Sequence, residues 1–143
     1  MAGFLSVGEP SKTVTIRRLG PGDEHVVRRL ADREPQTALL ADDRTVFAAA
    51  FAGEEPVGFA FGYVLPRRHG RPEMFFVYEL EVDEGYRRRG IGKRLMEELL
   101  AGHDEAFVLT EPDNDAANAL YASLGGTRVE TVMWDFELPT SRA

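Results

Sequence analysis

The stretch Phe75-Phe76-Val77-Tyr78-Glu79-Leu80-Glu81-Val82 runs into Asp83-Glu84-Gly85-Tyr86-Arg87-Arg88-Arg89-Gly90-Ile91-Gly92, and then into Lys93-Arg94-Leu95-Met96-Glu97-Glu98-Leu99-Leu100. The first part is a β-rich apolar run broken by two carboxylates. The middle is a basic turn carrying glycines. In the last part Ile91, Leu95, Leu99 and Leu100 recur at helical spacing, with Met96 beside them. The order is strand, loop, helix, with the glycines where the helix begins. Such a junction gathers unpaired backbone N–H groups and the positive end of a helix dipole at one point, which suits an anion and above all a phosphate.

Working outward, Thr13 to Leu19 alternates as a strand and Gly20-Pro21-Gly22 breaks it. Asp23 is placed to cap a helix running to about Ala31, and a second short helix is expected over Gln36 to Ala41. Thr45 to Ala52 and Val57 to Leu65 read as a hairpin closed at Gly53-Glu54-Glu55-Pro56. The loop Pro66 to Pro72 leads to the strand Phe75 to Val82, completing a meander. The helix after the basic turn ends near Gly102. Ala106 to Thr110 reads as a short buried strand of the kind a parallel pairing needs. Asn114 to Leu124 is a helix stopped by Gly125-Gly126, and Val129 to Leu138 is a final strand. Residues 1–12 read as a loose tail and residues 13–143 as one domain.

The bulk numbers narrow the function. The chain has 143 residues, 43% hydrophobic and 29% charged, as for a soluble globular protein. With no cysteine, disulfides, thiolate metal sites and a cysteine nucleophile are all excluded. The net charge of −7 argues against general nucleic-acid binding and suits a cationic substrate. Arg87, Arg88, Arg89, Lys93 and Arg94 cluster inside this acidic background, which marks one local anion site. No run reaches transmembrane length and no signal peptide is visible, so no membrane association and a cytoplasmic location are expected. His25, His69 and His103 are scattered without ligand spacing, so no metal is expected.

Two motifs resemble those of the GCN5-related N-acetyltransferase (GNAT) superfamily. The first is Leu80-Glu81-Val82 followed by Arg87-Arg88-Arg89-Gly90-Ile91-Gly92, matching a Leu-x-Val strand and an Arg/Gln-x-x-Gly-x-Gly/Ala loop. The second is Asn114, Ala117, Leu120, Tyr121 and Gly125, matching Asn-x-x-Ala-x-x-Leu-Tyr-x-x-x-Gly with every spacing intact. Glu84, where many members carry proline, and Gly126, where they usually carry an aromatic, depart from the pattern without touching the loop. The resemblance covers roughly residues 13–138. It implies an α/β (α+β) fold, with a mixed central sheet of about six strands, splayed in the middle, flanked by about four helices.

The resemblance also implies acetyl-CoA as cosubstrate. The backbone from about Arg88 to Lys93, through Ile91, would wrap its pyrophosphate, with Gly90 and Gly92 allowing close approach and Arg87 and Arg89 adding charge. Leu80 and Val82 would offer backbone groups to the pantetheine arm while their side chains fill the core. Asn114 is either a helix N-cap or a hydrogen-bonding partner of that arm. Tyr121 is implied to lie near the sulfur and to protonate the departing thiolate or hydrogen-bond to it, a role preferred over packing because of its spacing from Asn114 and Gly125.

The acceptor is expected to be a small cationic amine. Glu79 and Glu81 stand two apart on one strand face, and Glu111 follows the short strand, so Glu79 or Glu111 is expected as base or cation holder, with Glu81 third. Asp113 would extend the same acidic surface. Direct transfer is expected, with the tetrahedral oxyanion held by a backbone N–H such as that of Val82. Tyr63-Val64-Leu65-Pro66, Val77-Tyr78-Glu79-Leu80-Glu81-Val82, Val108-Leu109-Thr110-Glu111-Pro112 and Ala119-Leu120-Tyr121 look like the aminoglycoside 3-N-acetyltransferases, which implies antibiotic resistance. A polyamine, a small metabolite, a protein amine, or a non-catalytic acetyl-CoA-binding module stand as alternatives. Relatives are often dimers. The apolar final strand suits either an interface between two copies or the core of one, so a homodimer stays open.

Overall fold

The computed structural model describes residues 13–140. The tail expected over residues 1–12 lies outside them. The elements are β1 (Val14–Arg18), α1 (Glu24–Leu30), a 3-10 turn (Thr37–Ala41), β2 (Thr45–Ala52), β3 (Glu55–Leu65), β4 (Met74–Val82), a second 3-10 turn (Glu84–Tyr86), α2 (Ile91–Leu100), β5 (Glu105–Val108) and α3 (Asp115–Ser123). They build one sheet in the order β1-β2-β3-β4-β5. The first three pairings are antiparallel and β4 pairs with β5 in parallel.

Helices cover both faces of this sheet, which is why β2 reads as an unbroken apolar run. Its Ala48, Ala50 and Ala52 turn to the α2 side, where Phe75, Val77, Leu95 and Leu99 are buried. Its Phe47 and Ala49 turn the other way. There Phe47 joins Phe59, Phe61, Val27 and Leu40, while Ala49 meets Val26 and Phe51. The three alanines leave room for α2 to approach the sheet closely. Fully burying a side chain the size of Leu95 or Leu99 contributes about 1.5–3 kcal/mol.

Several expectations are corrected. Among the described residues the sheet has five strands rather than about six, and there are three α-helices rather than four. The segment Gln36–Ala41 tightens into a 3-10 turn at Thr37–Ala41, a single short turn after Pro35. Asp23 stands at the N-cap position of α1, but its side chain makes no capping hydrogen bond. Its carboxylate instead accepts from the Gly20 N–H at 2.9 Å and pairs with Arg17 at 3.1 Å, closing the Gly20-Pro21-Gly22 turn. The strand after α2 is not buried, because it lies at the end of the sheet with Phe107 outside. Val129–Leu138 forms no strand pairing, and its large side chains are exposed. A strand exists only where a ladder partner stands beside it, and nothing described lies beside this segment.

Asn114 is the N-cap of α3, its side chain accepting the Ala117 N–H at 3.1 Å. Asn114→Ala is expected to cost about 1 kcal/mol, which a thermal melt reads as a fall in Tm of about 4 °C.

Candidate active site

The site begins where β4 and β5 part. The two strands are paired only from Met74↔Glu105 to Val77↔Val108. Beyond that point β4 continues through Tyr78 to Val82 with β3 as its neighbour, while β5 turns away. The wedge opens into a cleft of about 910 Å³, lined on one side by Tyr78, Glu79, Leu80 and Val82 and on the other by Val108, Leu109 and Thr110. A sheet edge of this kind presents backbone donors and acceptors to an extended ligand arm.

One end of the wedge is closed by the basic turn. Arg88 has φ 63°, and Gly90, at the N-cap of α2, has φ 79°. Arg88 is the one non-glycine residue with positive φ among those described, a conformation that costs on the order of 1–3 kcal/mol and concentrates at functional sites. The first intrahelical bond runs from the Arg94 N–H to the Gly90 carbonyl at 3.1 Å. The N–H groups of Ile91, Gly92 and Lys93 precede it and are left for a ligand. A β-carbon on Gly92 would meet Leu120 at 3.6 Å, so the loop backbone lies against α3. Arg87, Arg88 and Lys93 line the cleft here. These features fit a pyrophosphate.

The three arginines divide their work. Arg87 donates from Nε to the Val82 carbonyl at 2.8 Å and fastens the turn to the end of β4. Arg89 donates to the Gly85 carbonyl at 3.1 Å and lies 5.0 Å over the Tyr86 ring, outside the cleft lining. Arg88, with its positive φ, lines the cleft.

Tyr121 enters the cleft from α3 and packs against the same cluster as α2. Burial raises its phenol above the usual value, so it stays protonated at neutral pH, as a proton donor must. Asn114, at the start of α3, is also in the lining, so its capping role and a contact with a ligand arm are compatible.

On the other face, Glu79 pairs across the sheet with Phe61 and Glu81 with Phe59. Glu79 lines the cleft; Glu81, Glu111 and Asp113 do not. Burial, then the neighbouring Glu81 and Asp32 charges, raise the Glu79 carboxyl above the ordinary glutamate range. Glu111 is exposed, and its carbonyl accepts from the Asn114 N–H at 3.1 Å and the Asn118 side chain at 3.2 Å. Around Glu79 stands an aromatic wall. The Tyr78 ring centre is 5.6 Å from Phe61 and 5.7 Å from both Tyr63 and Phe76.

Tyr78 and Asp32 were not anticipated as site residues. The signal for Tyr78 was present as a change of phase: Phe75 and Val77 face α2, and so do Leu80 and Val82, which strict alternation forbids. The structure resolves this with a β-bulge at Tyr78, where the register passes from Gly62↔Val77 to Phe61↔Glu79. The Asp32 charge acts on Glu79 only through tertiary folding. Among the described residues no three His, Asp or Glu side chains gather in a way that could hold a metal.

Comparison with known proteins agrees with this geometry. The pattern of the Acetyltransferase (GNAT) family matches residues 15–125. The N-alpha-acetyltransferase RimI of Mycobacterium tuberculosis is 41% identical over 83 residues, which is 55% of this chain and 52% of that protein. An L-2,4-diaminobutyric acid acetyltransferase of Streptomyces avermitilis is 33% identical over 85 residues, 55% of this chain and 46% of that protein. The matched stretch thus spans about half the length of either relative. The crystal structure of an aminoglycoside acetyltransferase from an uncultured soil metagenomic sample superposes with a TM-score of 0.77 at 26% identity, covering 89% of this chain and 99% of that one.

Proposed function

The chain belongs to the GNAT acetyltransferase family, and from that premise we propose that it is an N-acetyltransferase moving an acetyl group directly from acetyl-CoA to a cationic primary amine, first of all that of an aminoglycoside. The observation that carries this is the wedge between β4 and β5, which joins a phosphate-binding turn at one end to Glu79 and Tyr121 in its lining. Acetyl-CoA supplies the acetyl group as a reactive thioester. The residues of this chain do the rest. The N–H groups at the start of α2 and Arg88 hold the pyrophosphate. The β4 backbone aligns the arm, and a backbone N–H such as that of Val82 faces the developing oxyanion. Glu79 takes the proton from the ammonium group, directly or through water, so that the amine can attack. Tyr121 gives its proton to the sulfur that leaves.

Support for an aminoglycoside acceptor comes from the acidic, aromatic wall around Glu79 and from the likeness to the soil-sample aminoglycoside acetyltransferase. Carboxylates attract a polycationic sugar, and the rings of Tyr78 and Tyr63 offer it flat surfaces. The acetyl group goes to the 3-amino group of that acceptor in this reading. A second reading, acetylation of a protein α-amine, is favoured by the RimI relative.

An assay of acetyl-CoA consumption against aminoglycosides, polyamines, diaminobutyrate and peptides with free N-termini separates these. Turnover of aminoglycosides with a product acetylated at the 3-amino group, read by NMR, supports the first reading. Turnover of peptides alone supports the second. No turnover of any amine, with acetyl-CoA still bound, would mean a binding module. Tyr121→Phe is expected to lower kcat about 10²-fold while leaving the Kd for acetyl-CoA unchanged, since the ring and its packing remain; an unchanged kcat would remove Tyr121 as the acid.

A further inference from the structure

The wedge between β4 and β5 has a closed end as well as an open one. At the closed end the first ladder pair, Met74↔Glu105, is held by the loop Pro66 to Pro72. Arg67 Nη2 donates to one oxygen of the Glu105 carboxylate, and Arg71 Nη2 donates to the other at 3.0 Å. The same Arg67 Nη2 lies 4.0 Å from the Met74 sulfur, so one side chain touches the first residue of both strands. The Arg67 side chain is only 18% exposed, and its Nη1 is buried with no hydrogen-bond partner among the described residues. Burying a donor unpaired is costly, so the contacts that Arg67 does make hold it there. Its hydrogen bond, above all, keeps the Glu105 carboxyl below the ordinary glutamate range. An isolated exposed ion pair contributes little, but here two arginines share one carboxylate across a junction of strands.

We propose that Arg67, Arg71 and Glu105 are positioning residues, a clamp that sets the angle at which β5 and α3 stand off β4 and so the width of the cleft. This rests on the reading of the wedge as the acetyl-CoA site. Little else fixes the far wall. β5 pairs with β4 over four residues, and α3, which carries Tyr121, has no buried residue. From Glu105 to Val108 the strand is about 10 Å long, so a tilt of about 6° at the clamp moves its end by about 1 Å. α3 lies farther out and moves more. The pyrophosphate turn belongs to the other wall, fastened to the end of β4 by Arg87. The clamp therefore governs how Tyr121 meets the acetyl end of the donor, while the phosphates keep their seat. A misplacement of about 1 Å is enough to slow a reaction by about 10²-fold.

The chain has no cysteine, so one can be placed on each wall for labelling. Glu84→Cys, in the turn after β4, and Asp113→Cys, between β5 and α3, are at exposed positions and take nitroxides. Double electron–electron resonance then reads the distance between the walls. Adding Glu105→Gln, which keeps the size of the side chain and removes the charge that both arginines share, is expected to lengthen and broaden that distance. In the chain without labels the same substitution is expected to lower kcat about tenfold, with the Kd for inorganic pyrophosphate unchanged. Arg67→Lys keeps the charge but loses the fork, and its distance is expected to fall between the two. An unchanged distance in Glu105→Gln, or in Arg67→Lys if the first does not fold, would overturn the proposal. So would a loss of pyrophosphate affinity as large as the loss of kcat, which marks a general loosening of the fold. The distance is read without turnover, so it tests the clamp even in a chain that acetylates no amine.

Discussion

Glu79→Gln is expected to lower kcat/KM by about 10²–10⁴-fold, the range for removal of a general base. The substitution keeps the size of the side chain and removes only its charge and basicity. Among the described residues Glu79 is the one carboxylate in the cleft lining, so Glu81→Gln and Glu111→Gln are expected to change kcat/KM far less. Equal losses in all three would mean that the acidic surface acts only by attracting the acceptor. The pH dependence carries a second test. Because burial, then Glu81 and Asp32, raise the Glu79 carboxyl, the acid limb of the kcat/KM profile should lie above the ordinary glutamate range. Activity then falls as pH drops through that raised value, and Glu79→Gln abolishes the limb.

The same shift fixes a sign for stability. A carboxyl that titrates higher in the folded than in the unfolded chain binds its proton more tightly when folded. Its contribution is full below the unfolded value and is lost as pH rises through the folded one. At neutral pH Glu79 therefore stands ionised at a cost to the fold. Glu79→Gln should be more stable than wild type at neutral pH, with the difference vanishing in acid. A variant that is slower and less stable at neutral pH would point to a structural role instead.

Gly62→Ala is expected to destabilise the fold by about 3 kcal/mol or more, with activity falling in parallel. A β-carbon there would lie 2.4 Å from the Phe76 carbonyl oxygen and 2.7 Å from Phe75 Cζ. The first neighbour is backbone in the middle of the sheet and has nowhere to retreat. Gly62 sits opposite the bulge, and any shift of β4 at this point moves Tyr78 and Glu79 together. At Gly58 a β-carbon would come no closer than 3.0 Å, to the Glu81 carbonyl oxygen, so Gly58→Ala should cost clearly less in a urea titration. The reverse order would mean that the bulge is not what holds β4 in place.

Both predictions turn on features that differ in how far the sequence exposes them. The basic turn and the start of α2 are written in neighbouring residues: Gly90 takes a left-handed conformation, and Ile91, Leu95 and Leu99 recur at helical spacing and are buried against the sheet. The Asn114 cap is equally local, being a side chain and an N–H three residues apart. Meander, turn and helix are legible for this reason, since each depends on contacts within a few residues. The division of labour among Arg87, Arg88 and Arg89 is not, because three identical side chains in a row are told apart only by which carbonyl or ring each one meets.

The sequence by itself determined the order of the strands and α-helices from Val14 to Ser123, apart from the turn at Thr37–Ala41, together with the basic glycine turn and the acidic strand face. Only the tertiary structure decided that β4 slips phase at Tyr78 and parts from β5 after Val77, that Asp32 stands near Glu79, and that the apolar segment from Val129 to Leu138 stays off its own sheet. The physical reason is range. Periodicity and capping are decided by neighbours along the chain, whereas a register shift, a wedge between parallel strands and the choice of partner for an edge are decided by residues far apart in sequence, whose alternatives share the same local pattern.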